Sequence, residues 1–301
     1  MIIAVLSMCY EKISMIEFTP IIKDFIIAAA GAMGGAYGAQ IITEKTRSKE
    51  DLLKEIRNTN ASLALTFSIC NSVLSLKAQH VQRMKETHAE QKTRFLEHVA
   101  RRNRGEHVEE FRFLADWQTI SSPYLPIEIL QKQLFEKLSV RGRALNLVTT
   151  LAQTLETLKE TFEKRNELIK GYQNRNLSQE ELYILYFGLL YNGGHVNNEY
   201  PSSLEILFDL TNDAAFFSQL LCKDLVKHGR RLARRFKVKY GEGAPSVDKP
   251  DFFKAIASGL MPKAENYSDW LTMFIVKPRP KRSRFSRIRS KWYLWKKRGL
   301  A

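Results

Sequence analysis

The chain has 301 residues, 44 % of them hydrophobic, and a formal net charge of +15. That length and apolar content exclude a disordered chain, since they supply a full hydrophobic core. The cysteines Cys9, Cys70 and Cys222 are odd in number and share no metal-ligand or redox spacing, which excludes a disulfide framework and reads as buried reduced thiols.

Met1 to Tyr10 is apolar but lacks a basic lead-in and a small-residue cleavage pattern, so we expect the N-terminus to stay attached. Phe25 to Ile42 (FIIAAAGAMGGAYGAQII) is an uncharged stretch of eighteen residues. As a helix it reaches roughly 27 Å, close to the roughly 30 Å hydrocarbon core of a bilayer. Two readings stand: a membrane span, or a helix packed inside the protein. Within it Gly31 and Gly35, and Gly34 and Gly38, form overlapping G-x-x-x-G pairs that let helix backbones approach closely, a candidate self-association face. Lys45, Arg47, Lys49, Lys54 and Arg57 follow the run, whereas only Lys12 and Lys23 precede it. By the positive-inside rule the body of a spanning protein is cytoplasmic, here at a bacterial inner membrane.

A long helix is expected next. Leu53, Asn60, Phe67, Leu74 and Val81 with Ile56, Leu63 and Cys70 make a coiled-coil seam, and Leu65, Ile69, Val73 and Leu76 a second apolar stripe. A helix apolar on two faces is packed on both sides of a bundle, or Ala61 to Leu76 is a second membrane segment. From Lys77 to Ala100 the pattern turns polar, as in a helix projecting into solvent. Val108 to Ile120 fits strand or helix equally. Pro126 is placed to open a helix to about Ser139.

Leu145, Val148, Leu151, Leu155, Leu158 and Phe162 mark an amphipathic helix from Arg143 to Tyr172, with Gly171 as its expected C-cap. Ser178 and Glu181 form a capping box for a buried helix over Gln179 to Tyr191. Asn192-Gly193-Gly194 breaks the chain, and a helix from Pro201 to about Phe236 ends in basic residues, among them His228, Arg231 and Arg235. Gly241 to Pro250 reads as a linker before short helices at Phe252 to Ala257 and Ser268 to Ile275.

Eleven of the lysines and arginines fall between Lys277 and Ala301, without one acid. Phe285, Ile288, Trp292 and Trp295 share one stripe of a helix there, ringed by Arg282, Arg284, Arg287, Arg289, Lys291, Lys296 and Lys297. Such a tail lies on anionic lipid, binds nucleic acid, or is a solvated terminus.

No phosphate-binding glycine loop, zinc motif or nucleophile elbow is present in the sequence, so no cofactor or metal is expected. His80, His88, His98 and His107 fall on or just after the charged long helix and read as solvated. Arg102-Asn103-Arg104-Gly105-Glu106-His107 resembles the R-N-x-x-x-H signature of HEPN-type ribonucleases, which implies Arg102 and His107 as catalytic residues acting on an RNA phosphate. Leu177, Ser178, Glu181, Leu182 and Leu185 resemble the L-S-x-x-E-L-x-x-L segment of phage abortive-infection proteins, which implies N-terminal membrane segments ahead of a helical cytoplasmic body.

The expected fold is all-α: an N-terminal membrane helix (residues 1–47), a long-helix bundle with coiled-coil character (48–240), a linker with short helices (241–276), and a basic amphipathic tail (277–301). The expected function is that of a membrane-anchored homo-oligomer that acts on partners in bacterial phage defence without catalysis. An RNase using Arg102 and His107, and a nucleic-acid binder using the tail, are the alternatives.

Overall fold

The computed structural model describes residues 20–273, apart from 114, 192 and 242. The readings of Met1 to Tyr10 and of the tail at 277–301 lie outside these residues. Within them the regular structure is helical, apart from one hairpin of two two-residue strands. The helices are α1 (Pro20–Leu76), α2 (Gln82–Asn103), α3 (Ile127–Glu136), α4 (Arg143–Gln173), α5 (Gln179–Phe187), α6 (Glu199–Tyr240), α7 (Phe253–Ala257) and α8 (Ser268–Thr272), with β1 (Leu190–Tyr191) and β2 (His195–Val196).

A π-helical turn, Lys77–Val81, joins α1 to α2 without a break. Pro20 opens the rod, where a missing N–H costs nothing, and no other proline precedes Pro123. The rod ends in a turn at Arg104 and Gly105, where Gly105 adopts φ 79°. Both expectations for Val108 to Ile120 fail, because this segment is irregular.

The core of the fold is the antiparallel pairing of α1–α2 with α6. It can be followed from Lys239 on Ser48, through His228 on Glu55, Cys70 on the Ala215 carbonyl and Lys77 on Asn212, to Lys85 on Glu205. Ile56, Leu63 and Cys70 are at most 1 % exposed. The predicted seam is therefore spent inside the chain, against α6, and the π-turn shifts its register before Val81. Each fully buried leucine or isoleucine there contributes about 1.5–3 kcal/mol. The stretch Ala61 to Leu76 is likewise packed, with Ser62, Thr66, Ile69, Val73 and Leu74 buried. It is bundle core.

Helix α4 covers the other side of α6 with Leu147, Val148, Leu151, Leu158 and Phe162. Its exposed threonines do not disrupt it, because Thr149, Thr157 and Thr161 return their hydroxyl protons to carbonyls four residues back. Gly171 is not its cap; the helix runs on to Asn174. The capping box of α5 forms as read, with the Ser178 hydroxyl accepting from the Glu181 N–H and the Glu181 carboxylate accepting from the Ser178 N–H. That helix stops early at Gly188, in the left-handed region at φ 61°, so Leu190 and Tyr191 belong to the hairpin. Gly193 and Gly194, at φ 84° and 102°, make its turn.

Two segments read as exposed are packed. Val81, Met84 and His88 of the polar stretch 77–100 are buried, and Phe95 stacks among Phe111, Tyr183 and Phe187. The residues expected to link domains, 241–276, strap across the bundle as far as they are described. Phe252 meets Phe67 edge to face, Tyr267 stacks on Phe216 at 3.8 Å and donates to Asp213, and Trp270 packs on Phe217.

Candidate functional site

The features that set this chain apart lie at the N-terminal end of α1. Phe25, Met33, Tyr37 and Ile42 are 73, 70, 68 and 68 % exposed. At Gly31, Gly34, Gly35 and Gly38 no atom beyond the adjoining helix backbone comes within 4 Å of where a Cβ would stand, among the described residues. Among the described residues nothing covers this run, so the alternative of a segment packed inside the protein finds no partner for it there. The helix Ile27–Asn103 contains an eighteen-residue window of mean hydropathy 1.3, half of it buried; since no described residue of Phe25 to Ile42 is buried, that window lies further along, in the packed part of the rod. For the exposed run itself, eighteen uncharged residues in a helix are long enough to span a bilayer, which a soluble core helix could also be.

Below the apolar run α6 comes alongside. Lys239 donates to Ser48 at 2.6 Å, and Leu52 and Ile56 pack on Leu232 and Phe236. Gly241, at φ 71°, then ends α6. Lys45 and Arg47 on α1 and Arg235, Lys237 and Lys239 on α6 thus form a collar rich in cations just beyond Ile42, in which Arg47, Arg235 and Lys239 share a cleft with Glu44, Asp51 and Glu55.

The collar continues into a polar joint. The Ser139 hydroxyl and N–H both donate to Glu55 Oε1, at 2.5 and 2.9 Å, and His228 Nε2 lies 3.1 Å from the same oxygen. Burial raises the Glu55 carboxyl, but the bonds from Ser139 and His228 outweigh it and hold the group below its ordinary value. Burial likewise pushes His228 below the usual histidine range, against the pull of Glu55. Beside this joint Arg143 grips Asp224 with two bonds, of 2.8 and 2.5 Å.

The residues singled out for RNase chemistry occupy a different setting. Arg102, in the last turn of α2, and His107, beyond the turn, are both exposed. Glu106 between them is held by Arg101 and Arg104, each 2.8 Å away. Neither Arg102 nor His107 lines any of five clefts found among the described residues. The reading of His88 as solvated is wrong: it is 8 % exposed, bonded to the Tyr186 carbonyl and ringed by Tyr186, Phe187 and Tyr200. Cys70 and Cys222 are buried free thiols, and burial pushes the Cys70 thiol up to about 12. Among the described residues no three His, Cys, Asp or Glu side chains are grouped to hold a metal ion.

Sequence reasoning passed over one cleft, of about 520 Å³, between the turn before α4 and the last third of α6. Its signal was the four-residue spacing of Lys227, Arg231 and Arg235, which puts three cations on one helical face. Comparison with protein families, with curated proteins and with solved structures finds no match to this chain.

Proposed function

We propose that this is a membrane-anchored, self-associating helical protein that acts through partners, without catalysis of its own. The exposed run Phe25 to Ile42, on a helix continuous with the bundle, carries the proposal. Large apolar side chains left uncovered by the fold mark an interaction surface, and a run of this length matches the bilayer core. The basic collar supports an orientation with the bundle in the cytoplasm, its cations at the headgroups. The open faces at Gly31 and Gly35, and at Gly34 and Gly38, are where two anchors would meet. A role in bacterial phage defence rests on the resemblance over Leu177 to Asn192 alone.

The test is fractionation of the full chain and of a version lacking residues 1–42, washed first with high salt and then with carbonate. The proposal expects the full chain to stay in the membrane pellet through both washes, because salt screens charges and leaves a span in place. Release of the full chain by salt alone would overturn it.

A further inference from the structure

We propose that the cleft between the turn before α4 and the end of α6 binds a soluble phosphorylated ligand. Arg141, Arg143, Lys227, His228, Arg231 and Arg235 line it, and Asp224 is the carboxylate among its lining residues. Arg143 already neutralises Asp224 through its two bonds. Arg141, Lys227, Arg231 and Arg235 have no ion-pair partner among the described residues. Along α6, Lys227, Arg231 and Arg235 stand four residues apart, where like charges repel. The fold thus holds Arg141, Lys227 and Arg231 in one concavity without a paired carboxylate, with Arg235 at its edge, where it also faces Glu44, Asp51 and Glu55; a dianion placed among them relieves their mutual repulsion.

The walls are fixed in advance. Glu55 ties down Ser139 through its hydroxyl and its N–H, and it meets His228 from below. Gly142 turns the chain at φ 62° and opens the 31-residue α4 without a side-chain cap. The positive end of that helix therefore adds to the field of the arginines. Guanidinium forks match phosphate oxygens in pairs, and a cleft of about 520 Å³ is in the size range of small-molecule sites, roughly 300–1,000 Å³.

Phosphate could reach the cleft on a lipid headgroup or on a soluble ester, and position decides between them. His228 sits level with Glu55, thirteen residues beyond Ile42, which is roughly 20 Å along the helix. The headgroup layer is only about 5–8 Å deep, so lipid meets Lys45 and Arg47, while the part of the cleft around Arg141, Lys227 and His228 stands clear of it. This choice of source rests on the membrane reading; the phosphate site itself does not.

Isothermal titration of the full chain in neutral-lipid nanodiscs, without magnesium, with pyrophosphate and separately with ATP, tests the site. We expect saturable binding that weakens at least tenfold in Arg141→Gln/Arg231→Gln and is unchanged in Arg102→Gln. The double variant should also raise the melting temperature of the ligand-free chain, by removing repulsion, which a folding defect would not do. Absence of binding, or equal binding by the double variant, overturns the site. Nanodiscs with 30 % phosphatidylglycerol provide the second arm: unchanged pyrophosphate binding by the unsubstituted chain supports a soluble ligand, whereas competition by that lipid overturns the choice of source. Flotation on neutral vesicles reports the membrane reading separately.

Discussion

The anchor is tested most sharply by Ala32→Asp together with Ala36→Asp. Both alanines flank the middle of the apolar run and are exposed. The strongly apolar residues of the run are Phe25, Ile26, Ile27, Ile41 and Ile42, each worth at most about −0.5 kcal/mol toward membrane insertion, or about −2.5 together. A single aspartate near the middle costs about 3 kcal/mol, so one cancels the driving force and two reverse it. Neither side chain belongs to the packed core of the bundle, so its stability should change by less than about 0.5 kcal/mol. Leu63→Asp supplies the contrast: Leu63 is 1 % exposed, and a buried unpaired carboxylate there should unfold the bundle. The assay is carbonate extraction alongside thermal melting in detergent. Retention of the double variant in the pellet would refute the reasoning, and so would a fall in its melting temperature, which would mean that the run is packed after all.

Other consequences follow from the buried polar groups. Glu55 and His228 are both held below their ordinary values, so the fold favours the deprotonated form of each. Their contribution is complete above about pH 6.5 and is lost as the pH falls through the two lowered values, Glu55 last; Glu55→Gln should flatten the decline in urea midpoint below about pH 5, where Glu55 takes up its proton. Lys77 is 3 % exposed and donates to Asn212 Oδ1 at 2.7 Å and the Leu260 carbonyl at 2.6 Å. Lys77→Met strands both acceptors and should cost about 2–4 kcal/mol in urea unfolding. A Cβ at Gly188 would stand 2.2 Å from Asn198 Oδ1 on a backbone at φ 61°, so Gly188→Ala should destabilise by about 2 kcal/mol in the same assay.

What could be read from the sequence was what local rules fix. Ser178 and Glu181 announce the start of α5 because a capping box is complete within four residues, and Leu145 to Phe162 announce α4 because its buried stripe is regular. Tertiary cover is another matter. The stretch 77–100 reads as solvated because its buried face is sparse, and Phe111, the ring that covers Phe95 and His98, comes from a segment with no periodicity. Residues 241–276 read as a linker because Phe252, Tyr267 and Trp270 are isolated in sequence and find partners only in space. Arg165 belongs to a run of alternating charges, yet it is wholly buried. It donates to the Gln118 carbonyl and lies over the Tyr200 ring. The basic cleft escaped notice for the same reason, since Arg141 and Arg231 meet only once α4 has packed on α6.

Because α1 passes from Ile42 to Ser48 without a break, the apolar run proposed as the anchor turns together with the bundle. Two anchors associating through their glycine faces would therefore fix how two bundles face each other, which a flexible linker would not do. Insertions at this junction test the coupling. One added alanine rotates the anchor by about 100° relative to the bundle, whereas seven bring it back to within about 20° at the cost of about 10 Å of length. With Cys9→Ser to remove a background thiol, Lys54→Cys places a reporter on an exposed position of α1. If the bundles are oriented by the anchors, the yield of disulfide-linked dimer in membranes should change sharply with one insertion and return with seven. Equal yields for one, four and seven added residues would show that the bundles are not oriented by the anchors. Self-association, if it occurs, would then be set elsewhere in the chain.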